Sequence, residues 1–322
     1  MKAIALISGG LDSALAAKII KLQGIDVFGV AFITSFTHPR IGKIAQNIDI
    51  KIKPIDISLE YLDLVKNPRF GFGKNMNPCI DCHIFMLKKA KELMPETKAD
   101  FVISGEVLGQ RPMSQNRGAL IKIEKESGLE GLLLRPLSAQ LLPETIPEQR
   151  DWIKRDKLFD FSGRSRKPQM RLASELGLEG FGQPAGGCLL TDPRFSRRLK
   201  DLLTYQREFN LDDIGLLKIG RHFRLSSQAK LILGRNHEEN KSLAGFIQPD
   251  NLFLEPIDIP GPTGILKTKA PSQELLESSA GILARYCDQG NHEVRVSIES
   301  SRINQTICCG ALKAEVLNAL RI

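Results

Sequence analysis

Ser8-Gly9-Gly10-Leu11-Asp12-Ser13 is the stretch whose residue types most narrowly constrain a chemistry. Two adjacent glycines free the backbone and leave no Cβ in the path of a closely approaching ligand. The N-terminus of a following helix would offer unpaired N–H groups and a positive dipole end, so a phosphate is the expected guest. Asp12 does not belong in a pure anion cradle, because a carboxylate repels phosphate. It fits if Mg²⁺ sits between the two. Ser8 and Ser13 add hydroxyl donors. The plain alternative is a glycine-rich turn capped by Asp12.

Cysteines supply a second constellation. Asn77-Pro78-Cys79-Ile80-Asp81-Cys82-His83 places two thiols where a loop rich in Asn, Gly and Pro, residues 66 to 78, gives way to an apolar-basic helix over Ile84 to Leu93. Such a Cys-x-x-Cys has three readings: zinc, a redox or persulfide pair, or two corners of an iron–sulfur cluster. Zinc requires four ligands, and His83 is the lone candidate nearby. A third prominent cysteine stands in Pro184-Ala185-Gly186-Gly187-Cys188-Leu189. Three thiolates, Cys79, Cys82 and Cys188, would leave one cluster iron open for sulfide or substrate. Cys287 lies on an apolar helix face and reads as core. Cys308 and Cys309 are adjacent, without a spaced partner, and read as structural.

Two further stretches carry charge or hydrogen-bonding groups. The polar run Gly105-Glu106-Val107-Leu108-Gly109-Gln110-Arg111 follows a strand-like segment, so Gly105, Glu106 and Gln110 would land on the same sheet edge as the first loop. Loop capping is the alternative for Glu106 and Gln110. Arg164, Arg166, Lys167 and Arg171, then Arg194, Arg197, Arg198 and Lys200, form a basic stretch. It reads either as a solvated helix face or as a phosphate-contacting rim. The formal charge of +8 favours a polyanionic partner.

These residues need elements to hold them. Ala3–Ile7 reads as a buried strand, and Leu11, Leu15, Ile19 and Leu22, spaced 4, 4 and 3, mark one face of a helix. Gly24 stops that helix, and strands follow at Ile25–Phe32 and Lys51–Ile57 with a helix over Ile41–Ile48 between them. Asp100–Ser104 is another strand. Strand–helix alternation argues for a parallel sheet with its site at the strand C-terminal ends. After a helix over Arg194–Leu203 the character changes. Short strands at Lys230–Leu233 and Asn251–Glu255, a helix carrying Leu276, Ala280, Leu283 and Cys287, a strand with Val294, Val296 and Ile298 alternating, and a last helix with Leu312, Val316 and Leu320 form an α+β unit with its own core.

At 322 residues two domains are expected, with no need of disulfide staples. No apolar run approaches 18 residues, so no membrane span or membrane partner is expected, and the chain begins directly in a strand with no signal peptide. A cytoplasmic protein is the expectation. No oligomeric state is assigned.

The first loop resembles the PP-loop of ATP-using enzymes that adenylate a carbonyl oxygen and release pyrophosphate; it lacks the Gly-Lys-Ser/Thr ending of a Walker loop. The run from Gly105 to Gln115 is similar to the Gly-Glu-x-Leu-Gly-Gln-x-x-Ser-Gln segment of the ThiI family of tRNA 4-thiouridine synthetases, and Leu134-Arg135-Pro136-Leu137 matches its next landmark. Asn77-Pro78-Cys79 resembles the Asn-Pro-Cys segment of the MnmA family of tRNA 2-thiouridylases. The resemblance implies an α/β fold, a parallel-sheet PP-loop domain of the adenine nucleotide alpha hydrolase kind. It implies ATP bound by Ser8, Gly9, Gly10, Asp12, Ser13, Gly105 and Gln110, with adenine against Ala31 and Phe32. Asp12, Cys79, Cys82 and Cys188 become the catalytic residues, and Mg²⁺ and a [4Fe–4S] cluster on the three cysteines the cofactors.

Most of residues 215 to 322 resembles the NFACT-R domain, an RNA-binding module. Gly234-Arg235-Asn236 with Asn240, Asp258-Ile259-Pro260-Gly261 and Pro271-Ser272 carry the likeness. The expected organisation is a PP-loop domain over 1–195, a bridging helix or linker over 196–214 and a smaller α+β RNA-binding domain over 215–322. tRNA is the expected partner, contacted by Arg164, Arg166, Lys167, Arg194, Arg197, Arg198, Arg235 and Asn236.

The implied reaction is tRNA uridine thiolation. AMP transfer turns a uridine carbonyl oxygen into a leaving group, and sulfur from a sulfide or persulfide donor replaces it. The Gly-Gln-Ser-Gln-like run favours 4-thiouridine at tRNA position 8, and Asn-Pro-Cys keeps 2-thiouridine at position 34 open. The ferredoxin-like and THUMP segments that precede the PP-loop in ThiI are absent ahead of Ser8, so the C-terminal unit is expected to take over their grip on tRNA. Two other classes stand beside this reading: a PP-loop ligase acting on a small molecule, and a non-catalytic RNA-binding factor.

Overall fold

Ala3, Ile4 and Ala5 are at most 1% exposed, because β1 (Lys2–Leu6) runs through the middle of a sheet covered on both faces. In the computed structural model, which describes residues 1–38, 41–179, 181, 187–206, 208–288 and 293–322, the chain forms two units, Met1–Thr191 and Asp192–Ile322.

In the first unit β1 is joined by β2 (Asp26–Ile33), β3 (Ile52–Asp56), β4 (Phe101–Ile103) and β5 (Leu133–Leu134). All pairings are parallel, and the order is β3-β2-β1-β4-β5. The chain moves outward from β1 to β3, then crosses back to place β4 on the other side of β1. The loops leaving β1 and β4 therefore diverge at a topological switch point, where open α/β sheets form a ligand crevice. The helices are α1 (Leu11–Leu22), α2 (Gly42–Ile48), α3 (Ser58–Lys66), α4 (Cys79–Thr97), α5 (Arg117–Ser127), α6 (Ile146–Gln149) and α7 (Lys167–Glu175).

Leu11, Leu15 and Ile19 of α1 are buried as their spacing predicts, but Leu22 is 62% exposed. Twelve helical residues and five strand residues are both about 17 Å long, so the helix's last residue stands at the rim of the layer. The helix expected from Ile84 begins five residues earlier, at Cys79, with Pro78 as its N-cap. Both cysteines of the pair thus lie in its first turn. Asp81, between them, accepts the backbone N–H groups of Arg69 and Phe70, each at 3.0 Å, and so ties the preceding loop to the helix.

The second unit holds α8 (Pro193–Tyr205), α9 (Leu211–Leu217), β6 (Arg221–Ser226), β7 (Ala229–Leu233), α10 (His237–Ala244), β8 (Asn251–Pro256), β9 (Gly264–Thr268), α11 (Gln273–Ala284), β10 (Val294–Glu299), β11 (Asn304–Cys309) and α12 (Ala314–Leu320). Its sheet is antiparallel throughout, in the order β11-β10-β8-β9-β7-β6. Leu276, Ala280 and Leu283 of α11 pack with Val294, Val296 and Ile298 of β10 in its core, and Cys287 joins them. Residues 196–214 are largely taken up by α8 and α9, which fall within this unit.

Candidate active site

Gly9 turns the chain out of β1 with φ at 81°, a left-handed value that glycine adopts freely. Gly10 occupies the N-cap of α1, and no side chain caps that terminus. The loop is braced from within instead. Ser13 Oγ donates to the Gly10 carbonyl at 2.8 Å and lies 3.2 Å from Ser8 Oγ. Asp12 is not the cap. Its Oδ2 accepts from Gln110 Nε2 at 2.9 Å and faces Arg166 Nη2 at 3.5 Å.

The loop after β4 closes over this turn at Gly105. A Cβ there would stand 2.5 Å from the Ser13 nitrogen and 2.6 Å from the Asp12 carbonyl carbon. Asp12 Oδ1 and Gln110 Oε1 are both buried without a hydrogen-bond partner. A carboxylate oxygen and an amide oxygen left open on two hydrogen-bonded side chains fit a hard divalent cation such as Mg²⁺, which takes oxygen ligands. Ala31 and Phe32 lie buried near the C-terminal end of β2, opposite Pro54 and Ile55 of β3.

The three thiols lie within electrostatic reach of one another. Two hydrogen bonds bring Cys188 to the pair. Asn75 Nδ2, in the loop before α4, donates to the Thr191 carbonyl at 2.7 Å, and Leu189 N donates to the Phe36 carbonyl at 3.0 Å. Pro184–Gly186 lie outside the described residues. Burial pushes the Cys82 thiol up to about 12, against its hydrogen bond with Tyr61, and Cys188 and Cys79 add to the rise. Burial likewise pushes Cys188 up to about 11, against the Leu190 N–H, with Cys79 adding to it. Cys79, at the first position of α4, accepts from Asn77 Nδ2 at 3.1 Å.

Among the described residues no three His, Cys, Asp or Glu side chains are grouped tightly enough to hold a metal ion. His83, the nitrogen ligand a zinc site would call on, has its Nδ1 2.6 Å from Glu106. The three thiols suit a thiolate-held cluster in kind, with one ligand fewer than the usual four. Arg111 connects the two halves of the site. It follows Gln110, which touches Asp12, and its charge favours the thiolate forms of Cys82 and Cys188. Two residues further on, Met113 Sδ lies 3.9 Å from Asn77 Nδ2.

Glu106 neither faces the nucleotide turn nor caps a loop. It is 7% exposed and joins three partners: His83 Nδ1 at 2.6 Å, Ser104 Oγ at 3.0 Å and Arg135 Nε at 3.0 Å. Burial acts to raise its pKa, but Arg135 and His83 overcome that and hold the carboxyl down at about 2. Arg135, itself 3% exposed, also donates to Glu124 Oε2 at 2.7 Å and to the Leu120 carbonyl. Tyr61, Arg111 and the His83–Glu106–Arg135 chain were not singled out as site residues by the spacing, because each partner lies far off in sequence.

The basic residues separate into free and committed groups. Arg164, Lys167, Arg194 and Arg197 are exposed. Arg166 is turned toward Asp12. Arg198 donates to the carbonyls of Leu217 and Gly220 at 2.8 and 2.9 Å, which holds the end of α9. In the second unit Arg235 pairs with Glu239, and Asn236 caps α10 by accepting from Glu239 N. Both line a cleft of about 420 Å³ with Arg221 and Tyr286.

A parallel sheet with an uncapped glycine turn at its switch point, and a carboxylate set over that turn, defines a PP-loop type of nucleotide-binding domain. Residues 1–141 match the family described as Thiamine biosynthesis protein (ThiI), and residues 220–320 match the NFACT protein RNA binding domain. The first unit is thus similar to the ThiI family over its nucleotide-turn half, and the second unit to the NFACT RNA-binding domains. The tRNA-specific 2-thiouridylase MnmA of Petrotoga mobilis is 26% identical over 249 residues, 69% of this chain and 64% of that protein. The same-named protein of Francisella tularensis subsp. novicida is 25% identical over 69% of this chain and 63% of its own length. The chain thus spans just under two thirds of these relatives. A crystal structure of a 4-thiouridine synthetase–RNA complex with bound ATP aligns at 19% identity and a TM-score of 0.36, over 55% of this chain and 51% of that one. No helix among the described residues is long and apolar enough to cross a membrane.

Proposed function

We propose that this chain is an ATP-dependent tRNA sulfurtransferase. It adenylates a uridine carbonyl oxygen with release of pyrophosphate, then replaces the oxygen with sulfur and releases AMP. The observation that carries the reading is the Gln110–Arg111 link. One residue holds the carboxylate over the glycine turn, and the next bears on two of the three thiols. Activation and sulfur delivery then share one cavity in the first unit.

The uncapped N–H groups of α1, with Ser8 and Ser13, bind the phosphates, and Asp12 with Gln110 would hold Mg²⁺. These preorganised dipoles stabilise charge that builds on the phosphates during AMP transfer. Cys79, Cys82 and Cys188 would hold a [4Fe–4S] cluster, which when bound supplies an iron free to carry sulfide. The raised pKa values of Cys82 and Cys188 make those two neutral thiols until a positive partner draws the protons off. The second unit and the exposed Arg164, Lys167, Arg194 and Arg197 grip the tRNA backbone.

The ThiI match over the nucleotide-binding half supports 4-thiouridine at position 8 as the product. A second reading, 2-thiouridine at position 34, is favoured by the 2-thiouridylase relatives. Nucleoside mass spectrometry of bulk tRNA from cells with the wild-type chain, with Asp12→Ala and without the protein tests both. Loss of 4-thiouridine in the last two supports the first reading, and loss of 2-thiouridine alone supports the second. If neither nucleoside changes, thiolation is not its activity. Iron content of anaerobic preparations checks the thiols: Ala at Cys79, Cys82 or Cys188 should each lower it, and full iron in any one removes that residue from the ligand set.

A further inference from the structure

Arg166 is a charged side chain with too few partners for its position. Only 20% of its side chain is exposed, and its Nε is buried with no hydrogen-bond partner. Its guanidinium approaches Asp12 Oδ2 through Nη2 at 3.5 Å, longer than a full charge-assisted hydrogen bond. Guanidinium offers five N–H donors in a fixed fork, and burying it with several unused is costly. Asp12 is under-used in the same place. Its side chain is 19% exposed, and Oδ1 is unpartnered. One turn further along α7, Gln169 is 1% exposed with neither amide atom bonded, and α7 packs against α1. The site holds a cation and a carboxylate that only half-satisfy each other, beside a glycine turn built for phosphate.

We propose that Arg166 is a nucleotide-phosphate ligand that guards Asp12 until nucleotide binds. A divalent cation arriving with the nucleotide takes Asp12, and the released guanidinium forks onto phosphate oxygens. The assignment rests on the ATP-binding reading given above, and it removes Arg166 from the RNA-contacting rim. Exchange of partners at Asp12 makes cation and nucleotide binding cooperative, because each vacates what the other uses. No bond is made or broken in this exchange.

Calorimetric titration of the full chain with ATP and with inorganic pyrophosphate, with and without Mg²⁺, tests the assignment, alongside tRNA affinity measured without ATP. Arg166→Ala should weaken MgATP and pyrophosphate binding by about 10- to 100-fold, the worth of hydrogen bonds to a charged group. It should leave tRNA affinity within about twofold and the salt slope unchanged, whereas loss of an RNA phosphate contact would lower that slope by about 0.9. Mg²⁺ alone should bind Arg166→Ala more tightly than wild type, because the competing cation is gone. Arg166→Lys, which keeps the charge without the fork, should fall between the two and stands in if Arg166→Ala does not fold. Unchanged MgATP affinity in either variant, or a fall in tRNA affinity alone, overturns the proposal. A wild-type chain that binds no ATP overturns the nucleotide reading beneath it as well.

Discussion

Glu106 keeps a negative charge in a place where charge is expensive, and it does so by standing between Arg135 and His83. Glu106→Gln keeps the shape and removes the charge, leaving Arg135 with Glu124 as its remaining carboxylate. Breaking a buried pair in this way should cost about 3 kcal/mol at neutral pH. The pH dependence has a definite sign. The folded carboxyl is held at about 2 against an ordinary 4.5, so its contribution is complete above 4.5 and disappears as pH falls toward 2. Urea unfolding of wild type and Glu106→Gln at several pH values should therefore give a gap that closes in that window; a gap independent of pH would place the stabilisation elsewhere. None of this network was legible in the chain. Glu106 lies 23 residues from His83 and 29 from Arg135, and no local spacing encodes a partner that distant. Asp12 could be singled out from the chain, because Gly9 and Gly10 stand just ahead of it.

Elements succeed or fail in the sequence for the same reason. The β1–turn–α1 unit could be read because its apolar periodicity and its glycines are contiguous. The start of α4 was misplaced because Asn77 and Pro78 are turn formers, while the fastening that draws the helix back to Cys79 comes from Asp81 to backbone at Arg69 and Phe70. β6, β9 and β11 escaped notice; β6 and β9 bury adjacent residues, so they lack a clean alternation. Gly105 was read as a ligand contact, and the fold adds a reason of a different kind. A side chain at that position would run into the backbone of Asp12 and Ser13, where no flexible group can yield. Gly105→Ala should therefore force the two loops of the crevice apart, at a cost of about 1–3 kcal/mol. Because the displaced atoms belong to the phosphate turn, ATP affinity should fall by at least about tenfold. Thermal melting and calorimetric titration of the same preparation separate the two effects, and unaltered affinity would mean that the turn does not hold the nucleotide.

At the scale of the whole molecule, a chain of net charge +8 is expected to meet RNA largely through phosphates, and such binding weakens with salt in proportion to the contacts made. The structure distinguishes basic residues that can contribute from those already engaged. On α8, Phe195, Ser196, Leu199 and Leu202 face inward while Arg194 and Arg197 are exposed one turn apart. Arg198 directly follows Arg197 in sequence, yet its guanidinium is committed to the carbonyls of Leu217 and Gly220. The paired change Arg194→Gln with Arg197→Gln should reduce the slope of log affinity against log salt by about 1 to 2, with melting temperature nearly unchanged. Arg198→Gln should do the reverse, lowering the melting temperature as α9 loses its C-terminal donor while the slope stays near that of wild type. Filter-binding titrations of tRNA from low to moderate salt read both, and an identical slope in the paired variant would remove α8 from the RNA surface.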